Sequence, residues 1–408
     1  METKACRRSL FTMTTIAVLF LVWTSTASIN CSAYEGTSGD QSDLSFYKPN
    51  AVKTALERTR NTGVRNVILL IGDGMSLAPM VASQIKALGA DGSLNIQKMP
   101  ITGLSRTNSL DKLVTDSAAA GTALATGYKT RNGMIAALPD GKIPETILEA
   151  AKRKGLRTGL VATSTMSHAT PASFAAHQDS RGSEAEISAD MLATRVNVLF
   201  GGGLKFFLPA SVEGSAREDE RDLLREAREA GYTFLSNREE MLQADVDYAL
   251  GLFQKGPLLT NDPSEPSLAE MTQKAIDLLR CKKGFFLMVE GSQIDWAGHE
   301  NNFDYLARQT LLFDQAVGIA LQFALQDHHT LVVVTADHDT GGLGINNGSL
   351  SGDTLELGWT TKSHTGVQVP VYAYGPGSEE FVGVRDNTEI PKVFARLLKI
   401  KDFPRLLR

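Results

Sequence analysis

Residues 112–127, KLVTDSAAAGTALATG, set an acid and a hydroxyl, Asp116 and Ser117, directly before a run of small helix formers that stops at a glycine. The first turn of a helix offers unpaired backbone N–H groups and the positive end of the helix dipole, so an oxyanion or a phosphate on Ser117 would be stabilised there. Ser117 is therefore a candidate nucleophile, beside the plainer reading that Asp116 or Ser117 only caps a buried helix of small residues. Asp295 and His299, four apart in DWAGH, share one face of a helical turn. Asp337-His338-Asp339 closely follows Leu-Val-Val-Val, and polar groups held at the end of so apolar a run lose solvent unless a cation compensates them. His299, His338 and His364 with Asp73, Asp295 and Asp337 would supply two sites of mixed nitrogen and oxygen donors, which suits zinc. Two zinc ions close together can activate a nucleophilic oxygen and neutralise a leaving one, and a phosphate ester is the substrate such a pair fits. His328 and His329 fall in an expected solvated turn before a strand, and His177 reads as a helix residue facing solvent.

The elements that must hold these groups are legible as periodicity. Residues 66–71 form a continuous apolar run ended by Gly-Asp-Gly, the pattern of a buried parallel strand, and residues 157–162, 285–289, 330–335 and 369–374 resemble it. Helical patterns lie at 146–154, 185–195, 268–280 and 305–326. The alternation predicts an α/β fold with a mainly parallel central sheet and helices on both faces. Ligands of such sheets sit outside the carboxyl ends of the strands. Asp73, Glu290, Asp295 and Asp337-His338 all follow strands and so fall on that edge. Residues 202–262 differ in character. Gly201-Gly202-Gly203 leads to a charged helix around 216–230 and then to short irregular segments, which reads as a peripheral excursion. No Gly-Lys-Ser/Thr follows the glycines, so they are not read as a phosphate loop.

A chain of 408 residues, 42% hydrophobic, can bury a large core, and its formal charge of −5 leaves no basic footprint for nucleic acid. Lys4, Arg7 and Arg8, the apolar residues 10–23 and then Ser25-Thr26-Ala27 read as a signal peptide over residues 1–27, with cleavage after Ala27 and Ala33 as the second choice. The apolar run is short for a membrane span and no second one follows, so the expectation is an exported protein, periplasmic or secreted. Ser-Ile-Asn before Cys31 lacks the small residue expected ahead of a lipidated cysteine. Cys6 leaves with the signal, so the exported chain keeps only Cys31 and Cys281, and its stability must come from the core. Residues 28–62 are expected to be a lead-in, and residues 63–408 a single catalytic domain.

Five stretches, residues 66–75, 115–122, 288–295 with His299, 335–339 and 362–366, resemble the alkaline phosphatase family, in the family's order, across residues 64–385. The resemblance implies that Ser117 is the nucleophile that becomes phosphorylated. It implies one zinc on Asp295, His299 and His364, a second on Asp73, Asp337 and His338, and a magnesium site formed by Asp73, Thr170 and Glu290. Arg181, which by itself would read as a surface residue, matches the arginine that grips two phosphate oxygens with its fork. Two positions depart from the pattern. His168 and Trp296 stand near the third metal where some members have Asp and Lys and others two histidines, which leaves Mg²⁺ or Co²⁺ open there. Only 25 residues separate His338 from His364, so the large insertion of bigger members is short or missing. Dimer contacts through that insertion are not implied, and a homodimer is left open. The expected activity is hydrolysis of small-molecule phosphate monoesters through a phosphoserine. Its rivals are a phosphodiesterase of the same superfamily and an exported zinc or phosphate binding protein without turnover, which needs no hydroxyl at residue 117.

Overall fold

Ten strands line up in one twisted sheet in the computed structural model, which describes residues 40–48, 52, 56–57 and 63–407. The expected signal peptide, both cleavage sites and Cys31 lie outside the described residues. In chain order the strands are β1 (Asn66–Gly72), β2 (Ile101–Arg106), β3 (Arg157–Thr165), β4 (Val198–Gly202), β5 (Thr233–Leu235), β6 (Ala249–Leu252), β7 (Phe285–Gly291), β8 (Thr330–Thr335), β9 (Asp339–Thr340), β10 (Leu343–Gly348), β11 (Leu355–Trp359), β12 (His364–Thr365), β13 (Val369–Tyr374) and β14 (Gly383–Asp386). The large sheet runs β14-β2-β13-β8-β1-β7-β3-β4-β6-β5, while β10–β11 and β9–β12 make two small ribbons. Strands β1, β7 and β8 are buried along their whole length, which is why they read as uninterrupted apolar sequence.

Within the large sheet β13 alone runs against the others, pairing antiparallel with both β8 and β2. The reason is the connection. Residues 336–368 hold only short strands and turns, so no helix carries the chain back to the opposite edge, and the next strand has to run down.

The helices are α1 (Leu77–Leu88), α2 (Ser117–Thr126), α3 (Ile147–Arg153), α4 (Ala169–Ala175), α5 (Glu184–Thr194), α6 (Leu223–Glu229), α7 (Arg238–Gln243), α8 (Leu268–Leu279), α9 (Gln293–Glu300), α10 (Phe303–Asp327) and α11 (Glu389–Leu397). Helices α2, α3, α4 and α11 cover one face, where Leu124, Ile147, Phe174 and Phe394 pack with Val67, Leu69, Phe286 and Met288. Helices α8 and α10 cover the other. The fold is thus α/β with a mostly parallel sheet between helical layers.

Residues 202–262 contribute β5 and β6 to one edge of the sheet, so the irregular stretch of the sequence includes two short strands. Its helix is also shorter than the charged pattern of 216–230. Arg217, buried, gives its guanidinium to Asp219, Ala185 O and Phe206 O, which holds the chain in a loop until Asp222 caps α6. In the lead-in, Tyr47 and Val52 are buried, and Tyr47 Oη donates to Asp314 Oδ2 of α10 at 2.6 Å. No helix among the described residues is long and apolar enough to cross a membrane.

Candidate active site

Strand register decides which acids meet. Ile71 of β1 lies opposite Glu290 of β7 and Thr335 of β8, so Asp73, Glu290 and Asp337 emerge together at the carboxyl edge. Strand β2 ends at the same edge and passes into the loop that delivers Ser117. Asp116 is the N-cap of α2, its Oδ1 accepting from Ala119 N at 3.0 Å, and Gly127 closes the helix with φ +75°, a left-handed turn that glycine adopts without strain. All of α2 is buried. Its alanines, Gly121 and Ser117 let it lie against α4, and Ser117 Oγ reaches His338 Nε2 at 3.1 Å.

Three groups of donor atoms surround that hydroxyl. Asp295, His299 and His364 form the first. His299 Nδ1 faces Lys362 O at 2.7 Å and His364 Nδ1 faces Thr115 O at 2.8 Å, so both rings hold a proton on Nδ1 and turn Nε2 toward Asp295. Those two Nε2 atoms lie 3.2 Å apart, each 3.4 Å from an oxygen of Asp295. Asp73, Asp337 and His338 form the second group, with His338 Nε2 at 3.5 Å from Asp73 and 3.2 Å from Asp337. Asp73, His168 and Glu290 form the third, their donor atoms within 4.8 Å of one another, and the buried Thr170 adjoins Glu290. The rings of His338 and His364 stack with centroids 3.6 Å apart, which joins the first two groups.

The electrostatics ask for a cation. Both oxygens of Asp73, Oδ2 of Asp337, Oε1 of Glu290 and Oγ1 of Thr170 are buried and make no hydrogen bond among the described residues. Buried polar atoms left so are rare, and several at one place point to an ion. Burial raises the acids' pKa values, and the charge of neighbouring carboxylates adds to it. Asp73 is pushed well above the usual carboxylate range, Asp337 to about 6 and Glu290 to about 7. Burial acts on Asp295 in the same sense, but hydrogen bonds from His299 and His364 and their charge outweigh it and hold that acid well below its ordinary value. In return Asp295 overcomes the effect of burial on His364 and lifts it to about 9.

Arg181 lies beside these groups, not on a free surface. Its Nη1 donates to Asp116 Oδ2 at 3.2 Å, and its Nη2 lies 3.3 Å from His168 Nε2. Guanidinium only donates, so His168 accepts there and carries its proton on Nδ1. Burial and the charge of Arg181 push His168 down to about 3, so the imidazole is neutral. Trp296, on α9, is buried edge-on to His168 with ring centroids 6.1 Å apart. The whole set expected from sequence therefore converges on one edge, His168 and Trp296 included.

Three other histidines lie elsewhere. His328 closes α10 with a left-handed residue and His329 bonds Gly63 O. His177 is not a solvent-facing residue. It is half-buried, with Nδ1 at 2.8 Å from Ala136 O and Nε2 at 3.0 Å from Glu149. Sequence reasoning missed Ser164 and Ser292, which donate to Glu290 Oε2, and Thr340, which touches both Asp295 and His338. Hydroxyls so placed leave no periodic signal. Only the position of Thr340, next after Asp337-His338-Asp339, could have drawn attention to it.

The family model described as alkaline phosphatase matches residues 64–354 and 350–400. The chain is 37% identical to "Alkaline phosphatase 3" of Bacillus subtilis (strain 168), over 87% of this chain and 94% of that one. It is 35% identical to "Alkaline phosphatase 4" of the same organism, over 85% and 91%. Among solved structures, the alkaline phosphatase of the Antarctic bacterium TAB5 superposes with a TM-score of 0.76 at 35% identity, covering 84% of this chain and 100% of that one. A variant of that enzyme with one histidine replaced by glutamate is described as holding magnesium in a site named M3. Motif order, sheet topology and these matches agree: the chain belongs to the alkaline phosphatase family and is a phosphatase enzyme.

Proposed function

We infer that the chain hydrolyses small-molecule phosphate monoesters through a phosphoserine on Ser117, at a centre holding two zinc ions and a third ion. Asp295, His299 and His364 would hold one zinc, and Asp73, Asp337 and His338 the other. Asp73, Glu290 and Thr170 would hold magnesium or Co²⁺. The donor sets fit these ions, because the imidazole nitrogens of the first two groups suit zinc and the oxygens of the third suit a hard cation. Bound zinc supplies positive charge that stabilises the oxygens on both sides of a phosphoryl group in transfer.

The chain's own residues account for the rest. Ser117 Oγ sits at the start of α2, where backbone N–H groups face a dianionic ester. The fork of Arg181 grips two phosphate oxygens, held in aim by Asp116, while Asp116 also fixes the helix start. Attack of Oγ on phosphorus forms the Oγ–P bond as the ester bond breaks and the alcohol departs. Water then attacks phosphorus, returning serine and inorganic phosphate. Positioning and charge carry most of such a loose phosphoryl transfer.

The observation that carries the reading is Ser117 Oγ 3.1 Å from His338 Nε2, amid buried carboxylate oxygens with no hydrogen-bond donor among the described residues. The test is to mix purified protein with inorganic phosphate at acid pH, quench it and map the modified peptide. One phosphoryl group on Ser117, two zinc ions per chain and much faster hydrolysis of aryl monoesters than of diesters are expected. A chain that turns over monoesters and is never phosphorylated at Ser117 refutes the covalent route, and preference for diesters refutes the substrate class. Two further parts of the reading are a homodimer, checked by sedimentation, and export, checked by the mature N-terminus after Ala27 or Ala33.

The third ion departs from the oxygen-rich pattern. In the TAB5 enzyme, exchange of a histidine for glutamate goes with magnesium in M3. Here a neutral imidazole, His168, stands beside Asp73 and Glu290, so we infer weak magnesium binding in the natural chain.

A further inference from the structure

The first two ligand groups meet at one hydroxyl. Thr340 of β9 is fully buried; its Oγ1 bonds Asp295 Oδ1 and lies 3.3 Å from His338 Nδ1. A hydroxyl has a single proton and an ionised carboxylate can only accept. Thr340 therefore donates to Asp295, and Oγ1 accepts from His338 Nδ1–H. This fixes the ring of His338 with its proton on Nδ1 and turns the lone pair of Nε2 toward Asp73, Asp337 and Ser117. One continuous chain, His338 Nδ1–H to Thr340 Oγ1–H to Asp295 Oδ1, ties an imidazole of one group to the carboxylate of the other.

The hydroxyl is boxed in. Thr340 N donates to Gly74 O at 3.2 Å, and Thr340 pairs with His364 across the β9–β12 ribbon. On the next rung Thr365 Oγ1 donates to Asp339 Oδ2 at 2.6 Å, which clamps the ribbon from its other side. A Cβ at Gly74, whose φ is +68°, would come within 2.7 Å of Thr340 Oγ1, and one at Gly298 within 3.0 Å of Thr340 Cγ2. With the methyl against Gly298 and the hydroxyl against Gly74, rotation about the side chain is blocked.

We propose that Thr340 is a positioning residue that couples the two ion sites: it ligates neither ion, yet both sets depend on its one hydroxyl. The inference rests on the reading that the two sets hold zinc. Valine keeps the shape of threonine and removes the hydroxyl. It takes the hydroxyl donor away from Asp295 Oδ1 and lets the His338 proton move to Nε2, where it blocks ligation.

The test uses the full chain, stripped of metal and titrated with Zn²⁺ against a competing chelator. The wild type takes up two ions. Thr340→Val weakens both steps by about 10- to 100-fold, the range usual for loss of an outer partner of a metal ligand. Thr340→Ser, which restores the hydroxyl, recovers most of the affinity. In histidine-labelled, metal-free wild type, nitrogen NMR finds the His338 proton on Nδ1, a measurement that needs no variant to fold. Wild-type affinity in Thr340→Val, weakening of only one step, or a proton on Nε2 of metal-free wild type each overturns the coupling. A wild type that does not bind two zinc ions overturns the reading of the centre itself.

Discussion

Replacing Arg181 by lysine keeps the charge and removes the fork, and the structure says what should follow. The main chain of Arg181 is fixed independently, its N–H donating to Gly133 O at 2.7 Å, so the loop stays in place. Asp116 Oδ2 takes Gly133 N at 2.9 Å as well as the guanidinium, so the start of α2 survives the change. What goes is one of two charge-assisted hydrogen bonds to phosphate, worth about 1.5 to 3 kcal/mol. At about 1.4 kcal/mol per factor of ten this is a loss of about 10- to 150-fold in kcat/KM. Inorganic phosphate carries the same oxygens, so its inhibition constant should rise by a similar factor, while bound metal should not change. Steady-state hydrolysis of an aryl monoester, phosphate inhibition and metal analysis on one preparation measure all three. Unchanged kcat/KM together with unchanged phosphate inhibition removes Arg181 from the phosphate site, and loss of metal in the variant would mean that it acts through the ion groups.

Ser117→Ala should fold and keep its metals, since α2 retains its Asp116 cap, but lose turnover by orders of magnitude; near wild-type rates would rule out a covalent role. The double substitution His168→Asp with Trp296→Lys adds a negative charge beside the third group and a positive one near phosphate. It should bind both Mg²⁺ and phosphate more tightly than the parent, and equal affinities in a titration would show that these positions do not tune the third ion. Stability should carry a pH signature at His177 and Glu149, both mostly buried. Burial alone would lower His177, but the hydrogen bond and charge of Glu149 raise it above 6.5; burial alone would raise Glu149, but the hydrogen bond and charge of His177 together with the hydrogen bonds of Thr146 take it below 4.5. The histidine's share of stability is complete below pH 6.5 and is lost as pH rises through its folded value. The glutamate's is complete above 4.5 and is lost on acidification. His177→Ala should therefore be more destabilising at pH 6 than at pH 9, by about 1.5 to 3 kcal/mol if the charged bond is lost whole. Equal losses in denaturant melts at the two pH values would refute the pair.

What could be read in advance follows from how local each cause is. Strands β1, β7 and β8 are buried on both faces and so carry their signature in consecutive residues, and the rule that places ligands beyond their carboxyl ends then located Asp73, Glu290 and Asp337. The Ser117 loop was equally legible, because a capping acid, small residues and a terminal glycine lie within one stretch. The edge strands were not. Thr-Phe-Leu of β5 and Gly-Val-Arg-Asp of β14 are too short and too mixed to hold a period, and they form because a neighbour already presents an open edge. Direction was illegible too, since Val369–Tyr374 looks like its parallel neighbours and is reversed only by the route of the chain before it.

The same distinction separates ligands from the residues that aim them. A histidine or aspartate after an apolar strand announces itself by type, for such groups lose water and must be compensated. Thr340, Ser164 and Ser292 cannot do so, because a buried hydroxyl is ordinary in sequence and becomes specific only when two distant partners converge on it, as Asp295 and His338 do on Thr340. Arg181 is the intermediate case. Its charge suggested a surface, but Asp116, 65 residues earlier, draws the guanidinium into the site, and that same acid starts the helix bearing Ser117. Ser117 and the Arg181 guanidinium are therefore both set by one carboxylate. A change at Asp116 disturbs both.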